Sequence, residues 1–159
     1  MQKSNFERMM QLADTVFAVK NDPSQIDVDD KVLEQLKTIH PATVSEYDDG
    51  NGPVAWVLQI PTKLNLMNQF LENKISEKEL FEQTPLDTRY EALYLCSALV
   101  LEEYRRKGIA KRLTLQAIEI IRRVHPLKAL FVWTFSKEGD LGAEALVGAT
   151  SLHLYKRPK

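Results

Sequence analysis

Five basic side chains crowd one short stretch, EEYRRKGIAKRL at residues 102–113, where Arg105, Arg106, Lys107, Lys111 and Arg112 surround Gly108. The apolar run ALYLCSALVL before it reads as a strand, and LTLQAIEIIRRV after it as a helix. The cations therefore stand at a strand-to-helix junction, in the first turn of the helix. A helix N-terminus carries unpaired N–H groups and a partial positive charge of about half an elementary unit. Cations at that end cost stability unless an anion sits among them. Gly108 lacks a Cβ, so backbone amides can approach a bulky oxyanion closely, and Ala110 keeps the next turn narrow. A basic run alone would read as a solvated surface turn. Its placement, the glycine and the mismatch with the helix dipole point instead to a phosphate or pyrophosphate cradle.

The elements that must position this cradle can be read outward from it. Glu91 to Leu101 is a nearly unbroken apolar run, as is KALFVWTFS at residues 128–136; such runs suit strands buried on both faces. Between them Ile109, Ala110, Leu113, Ala117, Ile120, Ile121 and Val124 fall within an arc of about 120° at helical rotation, predicting the buried face. His125 in the last turn suits the negative dipole end, and Pro126 stops the helix. Upstream, TVSEY and VAWVLQI flank DDGNGP and read as an antiparallel hairpin. A helix follows, with Leu64, Met67 and Leu71 at helical intervals, and S-E-K-E from Ser76 predicts a capping box for the next one. Near the start, Ser4 opens S-N-F-E before Phe6, Met9, Met10, Ala13, Val16 and Phe17; Val32, Leu33, Leu36 and Ile39 mark a second helix ended by Pro41.

The chain of 159 residues suits one domain over 1–159, with 44% hydrophobic and 27% charged residues. A net charge of −1 argues against a nucleic-acid coat protein, because counterion release needs a broad basic surface. Cys96 is the single cysteine, and His40, His125 and His153 lack ligand spacing, so neither an intramolecular disulfide nor a metal site is expected. The N-terminus does not read as a secretory signal and no apolar run reaches about 18 residues, so the expected place is the cytoplasm, without a membrane span.

Arg105-Arg106-Lys107-Gly108-Ile109-Ala110 resembles the R/Q-x-x-G-x-G/A signature of the GNAT N-acetyltransferases, and LVLEEYRRKGIAKRL resembles the wider family phrase around it. The close likeness covers about residues 91–136. It implies an α/β (α+β) fold: a mixed, mostly antiparallel twisted sheet with helices on both faces and a splayed central strand pair. It further implies that residues Arg105, Arg106, Lys107, Gly108, Ile109, Ala110 and Lys111 hold the pyrophosphate of acetyl-CoA or another acyl-CoA. Leu99 and Val100 would bind the pantetheine arm through their backbone, with Leu130 to Thr134 as the opposite wall. The implied partners are a coenzyme A thioester and an amine acceptor, small molecule or protein; a homodimer is allowed.

The acid–base residues carry over less directly. Many members place a glutamate where Tyr94 stands here, and tyrosine, with a pKa near 10, is a poor base unless perturbed. Glu46 on the hairpin is a substitute if it points inward. Val147 falls where the family's general-acid tyrosine would lie, leaving Tyr155 as the acid candidate, while Cys96 reads as structural because no histidine is placed to activate it. The family's usual first strand is also not evident. Two readings follow: an N-acyltransferase working by direct attack, and a catalytically degenerate acyl-CoA-binding or regulatory protein.

Overall fold

The computed structural model describes residues 3–19, 30–133 and 137–158, the side chains of residues 16–19, 30 and 137–141 excepted. Residues 20–29, the side chains of Val16 and Phe17, and the end of the KALFVWTFS run thus lie outside the described residues.

The sheet is built around the two apolar runs. Strands β1 (Val44–Asp48) and β2 (Pro53–Thr62) form the hairpin, and β2 pairs antiparallel with β3 (Ala92–Val100). Then β3 pairs parallel with β4 (Ala129–Val132), and β4 parallel with β5 (His153–Lys156), giving the order β1-β2-β3-β4-β5. The longer ladders are the antiparallel ones. The β3–β4 ladder is short: Ala92, Leu93 and Tyr94 face Ala129, Leu130 and Phe131, and among the described residues the pairing ends at Tyr94. The expected splay lies there. Just past it, the β2–β3 register slips between Leu58 and Gln59, and Cys96 is the extra residue on the β3 side of this bulge.

Helices cover both faces of the sheet. One face carries α1 (Asn5–Val19), α2 (Asp30–Ile39), α3 (Leu64–Leu71) and α4 (Glu77–Gln83). Leu36, Ile39, Met67, Phe70, Leu80 and Phe81 pack there on Leu58, Ile60, Tyr94 and Phe131, while Met9 of α1 packs on Val54 and Leu99. The other face carries α5 (Ile109–Arg122), which links β3 to β4, and α6 (Lys137–Thr150), which leads into β5. Both predicted caps form: Ser4 Oγ accepts from the Glu7 N–H, and Ser76 and Glu79 exchange side-chain-to-backbone bonds of 3.1 Å.

The structure moves five residue assignments. On α5 the buried face is Ile109, Leu113, Thr114, Ala117, Ile118 and Ile121, whereas Ile120 and Val124 are 42% and 60% exposed. Apolar residues flank the helix stripe on both sides. Leu146 of α6, packed with Ile118, decides which side is covered. Thr114 tolerates burial because its hydroxyl donates to the Ala110 carbonyl at 2.8 Å. On α1, Met9 is fully buried but Phe6 and Met10 are exposed, Phe6 resting edge-on against Trp56. Finally, His125 is buried against Tyr90 and His40 rather than charged at a helix end, and burial holds its pKa below the ordinary histidine value.

Candidate functional site

After β3, Leu101 closes the strand by donating to the Val54 carbonyl, and a short 3-10 turn spans Glu102–Tyr104. Arg105 then folds its side chain back, its Nε donating to the Val100 carbonyl at 3.0 Å. The backbone twists into left-handed conformation at Arg106 (φ 65°) and again at Gly108 (φ 76°) before α5 begins. Left-handed residues alternating with ordinary ones turn successive N–H groups toward one side, forming a concavity that suits an anion. For Arg106 that conformation costs about 1 kcal/mol or more.

The backbone N–H groups of residues 106–111 donate to no described residue. An ordinary helix start leaves the first four unpaired; here the loop adds those of Arg106 and Lys107. A Cβ added at Gly108 would meet nothing within 4 Å, so the floor of this loop faces open space. Gly108 is needed chiefly for its positive φ.

The cations around it are equally uncommitted. The side chains of Arg106, Lys111 and Arg112 are exposed and make no hydrogen bond or ion pair to a described residue. Lys107 rests only above the Tyr104 ring, 5.4 Å from its centre. Two of the nearby acids are held elsewhere. Glu103 takes both its bonds from Arg8, at 2.6 and 2.7 Å, and that contact holds its pKa below the usual range. Asp49, in the β1–β2 loop, accepts from the Tyr104 hydroxyl, the Asn5 amide and the Asn51 N–H. An open cleft of about 280 Å³ lies beside Arg105, between Leu101–Glu102 and the Arg8, Gln11, Leu12 and Thr15 side of α1.

Leu99 and Val100, expected to hold a pantetheine arm, lie at the end of β3 beyond the last β3–β4 pairing. The side chain of Leu99 is buried toward α1, and the Val100 carbonyl is the one taken by Arg105. Among the three acid–base candidates, residues paired across a sheet share a face, so Glu46, Tyr94 and Tyr155 all belong to the face covered by α1 to α4. They do not meet. Glu46 on edge strand β1 accepts from the Trp56 indole at 2.7 Å. Tyr155, 43% exposed, sits on the opposite edge strand, four strand spacings (about 19 Å) across the sheet and further displaced along it. Tyr94 is buried at the parting of the strands, stacked on Phe131 with centroids 5.0 Å apart.

Sequence reading missed the partner of Tyr94. Its hydroxyl donates to Glu77 Oε2 at 2.5 Å, and Glu77 is buried although it lies in the first turn of α4. Burial, reinforced by the Glu77 charge, pushes the Tyr94 phenol well above the usual tyrosine range. Arg157 was missed as well: its guanidinium packs over both Phe70 and Trp133, 4.3 and 4.4 Å from their ring centres, and bonds Asn73. Only a capping box marked Glu77, and Arg157 reads as tail charge; neither pattern signals burial.

Residues 17–147 match the Acetyltransferase (GNAT) family. Among solved structures, an aminoglycoside acetyltransferase from an uncultured soil metagenomic sample, in complex with trehalose, superposes with a TM-score of 0.51 at 16% identity, over 92% of this chain and 79% of its own. Chaetomium thermophilum Naa20, in complex with a bisubstrate analogue, superposes at 0.50 with 12% identity, over 91% of this chain and 63% of its own. At such identities the likeness is one of fold. No curated protein sequence matches the chain significantly.

Proposed function

The chain belongs to the Acetyltransferase (GNAT) family, and from that premise we propose that it is an acyl-CoA N-acyltransferase acting on an amine by direct attack. The observation that carries this reading is the row of unbonded N–H groups from Arg106 to Lys111, ringed by cations without acidic partners. Its chemistry fits a diphosphate with negative oxygens on several sides. Arg105 stands by the Val100 carbonyl and links the cradle to the end of β3 that has parted from β4, where the pantetheine arm would lie. The coenzyme supplies an activated acyl group as a thioester. The amine lone pair attacks the thioester carbonyl, the C–S bond breaks, and the thiolate leaves while the amine loses a proton. What the protein contributes is alignment of the two reactants, exclusion of water and a route for that proton.

For the proton, Tyr94 with Glu77 is the candidate pair nearest the parting of the strands; Glu46 and Tyr155 stand at the sheet edges. The same hydrogen bond favours a second reading. A phenol buried against a carboxylate, with its pKa raised, is poorly suited to act as base, as in a degenerate family member that holds acyl-CoA without transferring it. Titration calorimetry with acetyl-CoA, followed by coenzyme release measured across an amine panel, separates the outcomes. Saturable binding with amine-dependent release is the expected result. Binding without release on any amine leaves the degenerate reading, and absence of binding removes both.

A further inference from the structure

The β1–β2 hairpin loop is tied to the cradle by a single acid. Asp48 braces the loop from within, its Oδ1 accepting from the N–H groups of Gly50 and Gly52 at 2.7 and 3.1 Å. That leaves Asp49 to reach outward. Its Oδ1 accepts from Asn51 N–H at 2.8 Å and from the Asn5 side chain of α1 at 3.2 Å, while Oδ2 accepts from the Tyr104 hydroxyl. Tyr104 is half-buried at the end of the sheet, packed against Leu99 and Leu101 on one side and Ile109 and Leu113 on the other. Above its ring lies the Lys107 ammonium, within the distance at which a cation is drawn to an aromatic face. An uninterrupted series of contacts therefore runs from the hairpin, and from α1, to a cation of the loop.

We infer that Asp49 is a positioning residue for the coenzyme cradle, fixing Tyr104 and through it the stance of Lys107 and the loop from Arg105 to Gly108. The inference rests on the acyl-CoA reading of that loop. It also fits the charge pattern, since an acid so close to an anion site is otherwise a liability. Turned toward Tyr104, its charge is directed into a hydrogen bond, and that bond holds the Asp49 pKa below its ordinary value.

The two roles open to this acid predict opposite signs. A carboxylate that merely lies nearby repels coenzyme phosphates, so Asp49→Ala would tighten acetyl-CoA binding, most at low salt. A positioning carboxylate does the reverse: Asp49→Ala weakens binding despite removing a like charge. We expect a loss of about three- to ten-fold, the scale of one charge-assisted hydrogen bond discounted for exposure. Tyr104→Leu should lose at least as much, Tyr104→Phe less because the ring stays under Lys107, and Asp49→Ala added to Tyr104→Leu no more than Tyr104→Leu alone.

The experiment is calorimetric titration of acetyl-CoA into these four variants and the parent chain at low and high salt, with thermal melts of each. Weakened binding with non-additive losses supports the inference. Tighter or unchanged binding in Asp49→Ala, or additive losses, overturns it while leaving the acyl-CoA reading intact. No binding by the parent chain overturns both. Because the melt of Tyr104→Phe retains the buried ring, it separates loss of the hydrogen bond from loss of packing.

Discussion

At the scale of single residues, the site sets two demands of opposite sign on one position. Lys111 stands in the first turn of α5, exposed and with no side-chain partner among the described residues, where its charge opposes the helix dipole. Lys111→Glu should therefore raise unfolding stability by about 0.3–1 kcal/mol in denaturant titrations. The same change should weaken acetyl-CoA by about ten-fold, through lost attraction and added repulsion toward phosphate, and leave S-acetylpantetheine, which has no phosphate, unaffected. Equal losses for the two ligands would place Lys111 away from the diphosphate. Gly108, Arg105 and the cations around them were legible in the sequence because charge, glycine and position in the element are all local. The left-handed turn at Arg106 was not, since nothing about an arginine announces a positive φ. Glu77 is the counter-case among the carboxylates: a residue that looks like part of a solvated first turn is buried because α4 docks over Tyr94.

At the scale of elements, periodicity located helices and strands well and faces less well. The capping patterns at Ser4 and Ser76, the hairpin around Gly50 and both apolar strands stand where their residues predict. On α5 the apolar residues span more than one face, and the partner helix α6 selects among them. Ile118→Ala, which opens a cavity at a residue 1% exposed, should cost about 2–5 kcal/mol in chemical denaturation, whereas Ile120→Ala should stay within about 0.5 kcal/mol. Comparable losses at the two positions would reverse the assignment of the buried face. The same docking holds the basic loop in place, because Ile109 and Leu113 in the first turns of α5 pack on Ala55 and Val57 of β2.

At the scale of the whole molecule, two histidines far apart in sequence share one buried spot. His40, closing α2, accepts from the Ala42 N–H at 2.9 Å; His125, after α5, accepts from the Tyr90 N–H at 3.4 Å, and their ring centres are 6.0 Å apart. Burial lowers both pKa values below 6.5, and for His125 the neighbouring His40 and Arg89 add to it. Because the folded-state values are depressed, the unfolded chain binds more protons in the interval below 6.5. Stability should then be level above that pH and fall as the pH drops through the unfolded value toward the folded ones. Denaturant midpoints measured from pH 7.5 down to about 5 should show the decline. His125→Gln should flatten it, and an unchanged slope in that variant would exclude His125 as the source.

Taken alone, the residues determined the glycine-centred basic junction, the strand–helix–strand unit around it and the family to which it points, because each depends on contacts a few positions apart. Packing decided the rest: which side of α5 is covered, that Tyr94 answers to Glu77, that Asp49 reaches Tyr104 across 55 residues, and that Glu46 and Tyr155 stand at opposite sheet edges. The physical reason is that burial and long-range hydrogen bonds are properties of surfaces brought together by the fold. A side chain's pattern in sequence records which surface it could join, and only the docking of elements settles which one it does.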